Sequence, residues 1–314
     1  MVFPTREASP DAGGGVIGED ARADARETTP GDDAATRPRA SCAGLPKTCG
    51  PTGEANCCDS RQVPGGTFFR GTGATDPATV GTFFLDTYEI TVGRFRLFSA
   101  AYPSSRPAPA SGRSSSLSGD RGWDTTWDSK LPSAARDLVT PCDNTASTTW
   151  TSAPGANEAK AIDCISWAVA YAFCIWDGGR LPSEAEWTYA AVGGAEQRFY
   201  PWSTDATSLT PAHAIYSASA ASVAAVGSKL PGNGRWMHAD LAGNVAEWVL
   251  DIDSPYRTCN GCVELGPGGP LGGTRGARGG GFSDGPPELA SARRAFADPL
   301  NGSARIGARC AHDI

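Results

Sequence analysis

Apolar residues first form regular patterns along the chain from Val63 onward. The stretches GTFFRG (66–71) and GTFFLDTYEIT (81–91) are rich in aromatic and β-branched residues, which is typical of short strands. Thr91 then precedes VGRFRLFSAAY, where apolar side chains recur at helical spacing. The pattern therefore predicts two strands followed by a helix that Thr91 caps.

Two more helices are predicted in the middle of the chain. The first opens near Ser166, has an apolar face and ends before a pair of glycines at 178–179. The second begins at Ser183, and Glu186 three residues later completes the sequence signature of a capping box. Beyond residue 193 the pattern indicates loops and turns with short strand candidates, so we expect one irregular domain over residues 63–314.

Residues 1–40 differ in composition from the rest of the chain. They contain eight Asp and Glu and five Arg among small residues, and large apolar side chains are almost absent after Phe3. Such a segment buries too little apolar surface to offset the loss of chain entropy on folding. We therefore expect a disordered tether over residues 1–40, followed by a cysteine-rich disulfide segment over residues 41–62.

Overall composition narrows the class of protein. The 314 residues include 39 Gly and 24 Pro, which favours a loop-rich fold over a helical bundle. The net charge of −7 gives no basic surface, so nucleic acid is not an expected partner. No apolar run of about 20 residues is present, so no transmembrane span is expected.

Ten cysteines beside only three histidines indicate a disulfide framework rather than metal clusters. Disulfides persist in oxidising compartments, so we expect an extracytoplasmic protein, secreted or at the cell surface, although no signal peptide is recognisable at the N-terminus. Cys42, Cys49, Cys57 and Cys58 lie close together in sequence, which favours two disulfides of open connectivity over a zinc site.

Cys259 and Cys262 form a C-x-x-C motif. Redox motifs of this kind lie at helix N-termini, which lower the pKa of the thiol. The flanking sequence of CNGC carries no helix signal, so a local loop disulfide is the favoured interpretation. A redox or metal site is the alternative.

Three blocks of sequence, taken in order, resemble one known family. They are FFLDTYEITVGRFRLF (83–98), DCISWAVAYAFCIWDGGRLPSEAEWTYAAVGG (163–194) and DLAGNVAEW (240–248), with RGGGF (278–282) and RIGARC (305–310) after them. The chain is thereby similar to the sulfatase-modifying-factor family, whose founder is the formylglycine-generating enzyme. The resemblance covers residues 63–314 and implies an α+β fold, an irregular, loop-rich variant of the C-type-lectin-like fold with disulfides.

The resemblance also implies one disulfide. Cys174 and Cys310 match two positions that are bridged in the family, which would tie the C-terminus to the core. Cys142 and Cys164 are then the next plausible pair. Together with the pairs expected in the cysteine-rich segment and at CNGC, they would use all ten cysteines.

Copper is the cofactor on which the chain departs from the family. Formylglycine-generating enzymes hold Cu(I) with two late cysteine thiolates, which suit this soft ion. The corresponding stretch, RGGGFSDGPPELASARRAF, contains no cysteine, and Gly281 replaces the usual serine of its turn. Asp284 falls near one ligand position, but a carboxylate is a hard ligand. Copper is therefore not expected, and no catalytic residue is assigned.

Calcium is expected instead. Asp240, Gly243, Val245 and Glu247 match a calcium site of the family, in which carboxylate oxygens and backbone carbonyls converge. The resemblance thus implies structural Ca2+ at these four residues. The alternative is a plain turn in which Glu247 pairs with an arginine.

These features favour a sulfatase-modifying-factor-domain pseudoenzyme that acts as a calcium-stapled binding or scaffold module. Its ligand would be an unknown protein or glycan, and residues 1–40 would tether it to the envelope in the manner of a lipoprotein. One alternative is a divergent formylglycine-generating-type oxidase, or a related metal-dependent enzyme, that acts on protein or small-molecule thiols. Another is a purely structural envelope component.

Overall fold

The computed structural model describes residues 39–71, 75–139, 142, 148–219, 221–266 and 271–314. The predicted tether at 1–40 lies outside these residues, apart from its last two. The strands are β1 (Ser60–Val63), β2 (Gly66–Phe69), β3 (Pro77–Val80), β4 (Phe83–Asp86), β5 (Ala246–Ile252), β6 (Cys259–Asn260), β7 (Arg275–Arg278), β8 (Ala295–Ala297), β9 (Ile306–Gly307) and β10 (Ala311–His312). The helices are α1 (Val92–Ala101), α2 (Trp167–Trp176) and α3 (Glu184–Ala191).

Each α-helix begins at the residue that the sequence predicts. The hydroxyl of Thr91 accepts a hydrogen bond from the amide of Arg94, and Ser166 does the same at the start of α2. Ser183 and Glu186 form the predicted capping box at α3. These bonds satisfy amide groups that a helix cannot pair internally, which is why each start is fixed by a short local motif.

The strands form three small sheets. Their orders are β1-β4-β10, β2-β3-β6 and β8-β7-β5-β9. In the third sheet, β5 is antiparallel to β7, with Glu247 opposite Arg278, and parallel to β9, with Ala246 opposite Ile306. The chain therefore brings residues 246–247, 278 and 306 side by side, although they are far apart in sequence.

Aromatic side chains fill the space between the helices and the third sheet. The rings of Trp127 and Trp167 meet edge to face with centroids 5.1 Å apart, and Tyr171 packs against both. Phe95 and Phe173 stack between α1 and α2, with centroids 6.0 Å apart. Large rings bury enough apolar surface to support a fold whose regular elements are short.

All ten cysteines are paired. The predicted bridge Cys174–Cys310 is confirmed and joins α2 to the C-terminal segment. Cys142–Cys164 and the local pair Cys259–Cys262 are confirmed as well. The connectivity that the sequence left open is Cys42–Cys58 and Cys49–Cys57.

The cysteine-rich segment packs on the domain. Strand β1 crosses the expected boundary at residues 62 and 63 and pairs with β4. Buried Arg94 of α1 donates hydrogen bonds to Asp86 at 2.8 Å and to Asp177 at 2.7 Å, while the amide of Ser41 donates to the other oxygen of Asp177 at 2.7 Å.

Among the described helices, none is long and apolar enough to cross a membrane.

Candidate functional site

A cleft of about 360 Å³ opens beside the third sheet. Ala246 of β5 and Ala277 of β7 form part of its wall, and the turn after β7 and the segments around β8 and β9 form the rest. Its charged lining residues are Asp284, Glu288, Arg293, Arg294 and Arg305. Asp284 is the residue that the family resemblance places near one copper-ligand position.

The turn after β7 is shaped by glycines. Gly279 and Gly280 have φ of +92° and +66°, a region that side-chain-bearing residues rarely adopt. A Cβ atom at Gly281, which stands where the family has serine, would lie 3.1 Å from the carbonyl oxygen of Arg305. The turn therefore has little room for a side chain at residue 281.

Asp284 closes this turn. One of its carboxylate oxygens accepts a hydrogen bond from the amide of Gly281 at 2.8 Å, and the other accepts one from Arg305 at 3.1 Å. Asp284 thus serves as a turn-stabilising residue with an ion-pair partner. The cleft contains no cysteine, because every cysteine is held in a disulfide elsewhere.

The remaining charges of the cleft differ in how they are paired. Both carboxylate oxygens of Glu184 accept hydrogen bonds from Arg294, at 2.7 and 2.9 Å. Arg293 and Glu288 form no ion pair with any residue that the structure describes, and Arg293 is exposed. The cleft therefore presents a guanidinium and a carboxylate that are available to bind a ligand.

Asp240, Gly243 and Val245, three of the four residues expected to hold calcium, lie on the segment that leads into β5. The fourth, Glu247, lies in β5 itself, next to Ala246 of the cleft wall. A carboxylate oxygen of Asp240 accepts a hydrogen bond from the amide of Gly227 at 2.5 Å. Gly243 has a φ of +86°, and a Cβ atom there would lie 2.3 Å from the carbonyl oxygen of Ile215. The amide of Val245 donates to Glu89 at 3.2 Å.

Glu247 is paired with an arginine. Its two oxygens accept hydrogen bonds of 2.7 Å each from Arg309, and one also accepts a bond of 2.8 Å from the indole of Trp187. Both Glu247 and Arg309 are fully buried. This is the alternative arrangement that the sequence left open, and a calcium ion at Glu247 would have to share the carboxylate with Arg309 or displace it.

Negative charge is nevertheless in excess around Arg309. Burial raises the pKa of Asp240 to about 6 and the pKa of Glu89 well above its usual range. Glu89, Asp240 and Glu247 interact electrostatically with one another and with Arg309. The excess would be relieved by protons or by a cation. However, no three Asp, Glu, His or Cys side chains of the described residues converge as metal ligands, and Glu247 is already paired with Arg309.

Sequence reasoning missed Glu89 and Arg309. Both lie inside blocks that carry the family resemblance, in the stretches TYEIT and RIGARC. Only the fold brings them to residues 240–247, so no local pattern indicates the contact. The pair Arg293-Arg294 was visible as a doublet of basic residues but had no assigned role.

Comparison with known proteins covers most of the described chain. Residues 47–314 match the model of the sulfatase-modifying factor enzyme 1-like domain family. A formylglycine-generating enzyme of Thermomonospora curvata is 34% identical over 166 residues, or 48% of this chain and 54% of that protein. An inactive C-alpha-formylglycine-generating enzyme 2 of Bos taurus is 27% identical over 165 residues, or 45% of this chain and 51% of that protein.

The fold is also found among solved structures. PvdO from Pseudomonas aeruginosa superposes with a TM-score of 0.57 at 19% sequence identity, covering 89% of this chain and all of that one. The predicted fold class, a loop-rich variant of the C-type-lectin-like fold with disulfides, is thereby confirmed. The chain spans about half the length of the curated relatives it matches.

Proposed function

We propose that this chain, which belongs to the family of sulfatase-modifying factor enzyme 1-like domains, binds a ligand and does not catalyse copper-dependent oxidation. Its relatives include proteins named as formylglycine-generating enzymes and others named as inactive. Family membership alone therefore does not decide between an enzyme and a binding module. The proposal depends on the site.

One observation carries this proposal. All ten cysteines are joined in five disulfides, so no thiolate remains to hold Cu(I). The turn that would present copper ligands carries Asp284 instead, and that carboxylate is engaged by Gly281 and Arg305. A carboxylate is a poor ligand for soft Cu(I), which supports a role other than copper-dependent oxidation.

The cleft supports a binding role. Arg293 and Glu288 line the cleft and can contact a bound ligand, and the cleft volume of about 360 Å³ is within the usual range for a ligand site. Guanidinium groups bind carboxylates through paired hydrogen bonds. We infer that the ligand is a protein or glycan whose anionic group reaches Arg293.

The proposed setting is extracytoplasmic. Five disulfides support an oxidising compartment, because cytosolic reductants keep thiols reduced. The protein would be secreted or attached to the cell surface through residues 1–40. Structural Ca2+ at Asp240, Gly243, Val245 and Glu247 is a further part of the proposal, supported by the excess of buried negative charge around Arg309.

Thiol counting and Cu(I) binding test the proposal that this protein lacks copper chemistry. Protein purified without reductant and unfolded in guanidinium should show no thiol that reacts with a chromogenic disulfide reagent. The same sample after reduction is the control and should show all ten. Tight Cu(I) binding together with oxygen-dependent conversion of a cysteine peptide to formylglycine would instead identify an oxidase.

A further inference from the structure

A second cavity, of about 310 Å³, shares no lining residue with the cleft, although Glu184 of its wall is paired with Arg294 of the cleft. The disulfide Cys259–Cys262 forms part of its wall. Cys259 is partly exposed, whereas Cys174 and Cys310 of the long-range bridge are fully buried. Since Cys262 is buried, Cys259 is the half of this bridge that is open to solvent, and access is a requirement for disulfide exchange.

Arg70 lines the same cavity. Only 6% of its surface is exposed, and its Nε is buried without a hydrogen-bond partner. Its guanidinium donates one hydrogen bond to the carbonyl oxygen of Arg257 and lies over the ring of Tyr256, 4.3 Å from the centroid. It forms no ion pair with any residue in the described ranges.

The acidic groups around the cavity are already occupied. Glu184 is paired with Arg294, and Glu264 is paired with Arg257. Asp251 accepts hydrogen bonds from two backbone amides, at 2.7 and 2.8 Å, and burial raises its pKa to about 7. Arg70 is thus the lining guanidinium that has no ion-pair partner among the described residues, although Glu184 and Asp251 attract it electrostatically. Because buried cations are normally paired, its free N–H group favours a bound anion.

We propose that this cavity binds a small thiol that carries a carboxylate, with Arg70 holding the carboxylate and the Cys259–Cys262 disulfide accepting the electrons of the thiol. The cavity is of the size that small-molecule sites have in proteins. The exchange is stoichiometric and needs no further oxidant, because the protein disulfide itself is reduced.

The reaction proceeds in two balanced steps. The ligand thiolate attacks the sulfur of Cys259, the bond to Cys262 breaks, and the sulfur of Cys262 leaves and takes up the proton that the ligand lost. A second ligand thiolate attacks the mixed disulfide, releases the ligand disulfide and leaves Cys259 as a thiol. Two thiols lose two electrons in total, and the protein disulfide gains them.

Glutathione is the probe, and its diethyl ester is the matched control because it has the same thiol without the negative charges. Wild-type protein should yield one glutathione disulfide per chain, new thiols only at Cys259 and Cys262 by peptide mapping, and an unchanged circular dichroism spectrum. The ester should react about tenfold more slowly, the ratio for a binding difference of one strong polar contact. Absence of reaction in the folded protein, or reduction only together with unfolding, overturns the proposal.

Variants of Arg70 test whether its guanidinium binds the carboxylate of the thiol. R70Q should make the two thiols react at equal rates, and R70K should retain part of the preference for glutathione since it keeps a positive charge. R136Q removes a guanidinium whose side chain is 85% exposed and outside the cavity, so it should retain the full preference. Equal rates for both thiols in the wild type, or an unchanged preference in folded R70Q, shows that Arg70 binds no carboxylate.

Discussion

The guanidinium of Arg309 donates hydrogen bonds of 2.7 Å to both carboxylate oxygens of Glu247, at a position where neither side chain touches solvent. Its remaining N–H groups donate to the backbone carbonyls of Asp86, Thr87 and Ala239. All five guanidinium donors are therefore used, and this one side chain joins the C-terminal segment, β4 and the strand that borders the cleft.

Removing Arg309 should destabilise the protein strongly. R309M leaves Glu247 as a buried carboxylate without its cation, which costs about 3–5 kcal/mol in comparable sites. We expect a loss of this size in the free energy of unfolding measured by urea denaturation. R305M is the control: Arg305 is 52% exposed and pairs with Asp284 at the surface, so its loss should cost less than about 1 kcal/mol. Equal losses in the two variants would contradict a central role for Arg309.

Unfolding free energy should fall as the pH rises from about 4 to about 7. Burial raises the pKa of Asp163 and Asp240 to about 6 and that of Asp251 to about 7, all from an ordinary value of 3.8. Between the two pKa values, a carboxyl group whose pKa is raised by folding is protonated in the folded protein and ionised in the unfolded chain. The unfolding free energy that this group contributes is therefore lost as the pH rises from the unfolded pKa through the folded pKa. His238, whose pKa burial lowers to about 3, acts in the opposite direction below about pH 6.5.

The variant D240N tests the contribution of the Asp240 carboxyl group alone. D240N cannot ionise and keeps an oxygen to accept the bond from Gly227. Its stability relative to the wild type should improve by about 2 kcal/mol between about pH 4 and about pH 7.5, because only the wild type is penalised for ionising a buried carboxyl. Urea denaturation at both pH values measures the change. A pH-independent difference would show that Asp240 titrates normally in the folded protein.

The calcium proposal predicts a melting temperature that responds to the ion. Binding to the folded state alone should add about 2.7 kcal/mol at a calcium concentration of about 100 times Kd, and a chelator should reverse it. E247Q and D240N should both weaken the response, since each removes a proposed carboxylate ligand. A melting curve that neither calcium nor chelator moves would leave Arg309 as the cation that stabilises this segment.

The parts of the fold that local sequence determines were predictable. Thr91, Ser166 and Ser183 mark helix starts because a cap depends on residues within one turn of the chain. Strands β3 and β9 were not identified, because they are only four and two residues long and pair with segments distant in sequence, β3 with β6 and β9 with β5. The turn at 279–284 was found because RGGGF resembles the corresponding turn of the family, and the missing cysteine is visible in the same stretch.

The contacts around the proposed calcium site were less accessible to prediction. Glu247 was identified, and an arginine was named as its alternative partner, but 62 residues separate it from Arg309. Similarly, 155 residues separate Glu89 from Asn244, whose side-chain amide donates a hydrogen bond of 2.8 Å to the Glu89 carboxylate. A buried ionic cluster assembled over such separations depends on tertiary packing, and residue spacing carries no information about it.

Two disulfides should differ sharply in their contribution to stability. Cys174 and Cys310 are 136 residues apart, while Cys259 and Cys262 are only three apart. A bridge stabilises mainly by restricting the unfolded chain, and the restriction grows with the length of the closed loop. The double variant C174A/C310A should therefore lose about 4–5 kcal/mol in unfolding free energy, and C259A/C262A about 2 kcal/mol or less. Guanidinium denaturation without reductant measures both. Equal losses would mean that the CNGC bridge supports the domain as a whole, which would also leave no room for its reduction in the folded protein.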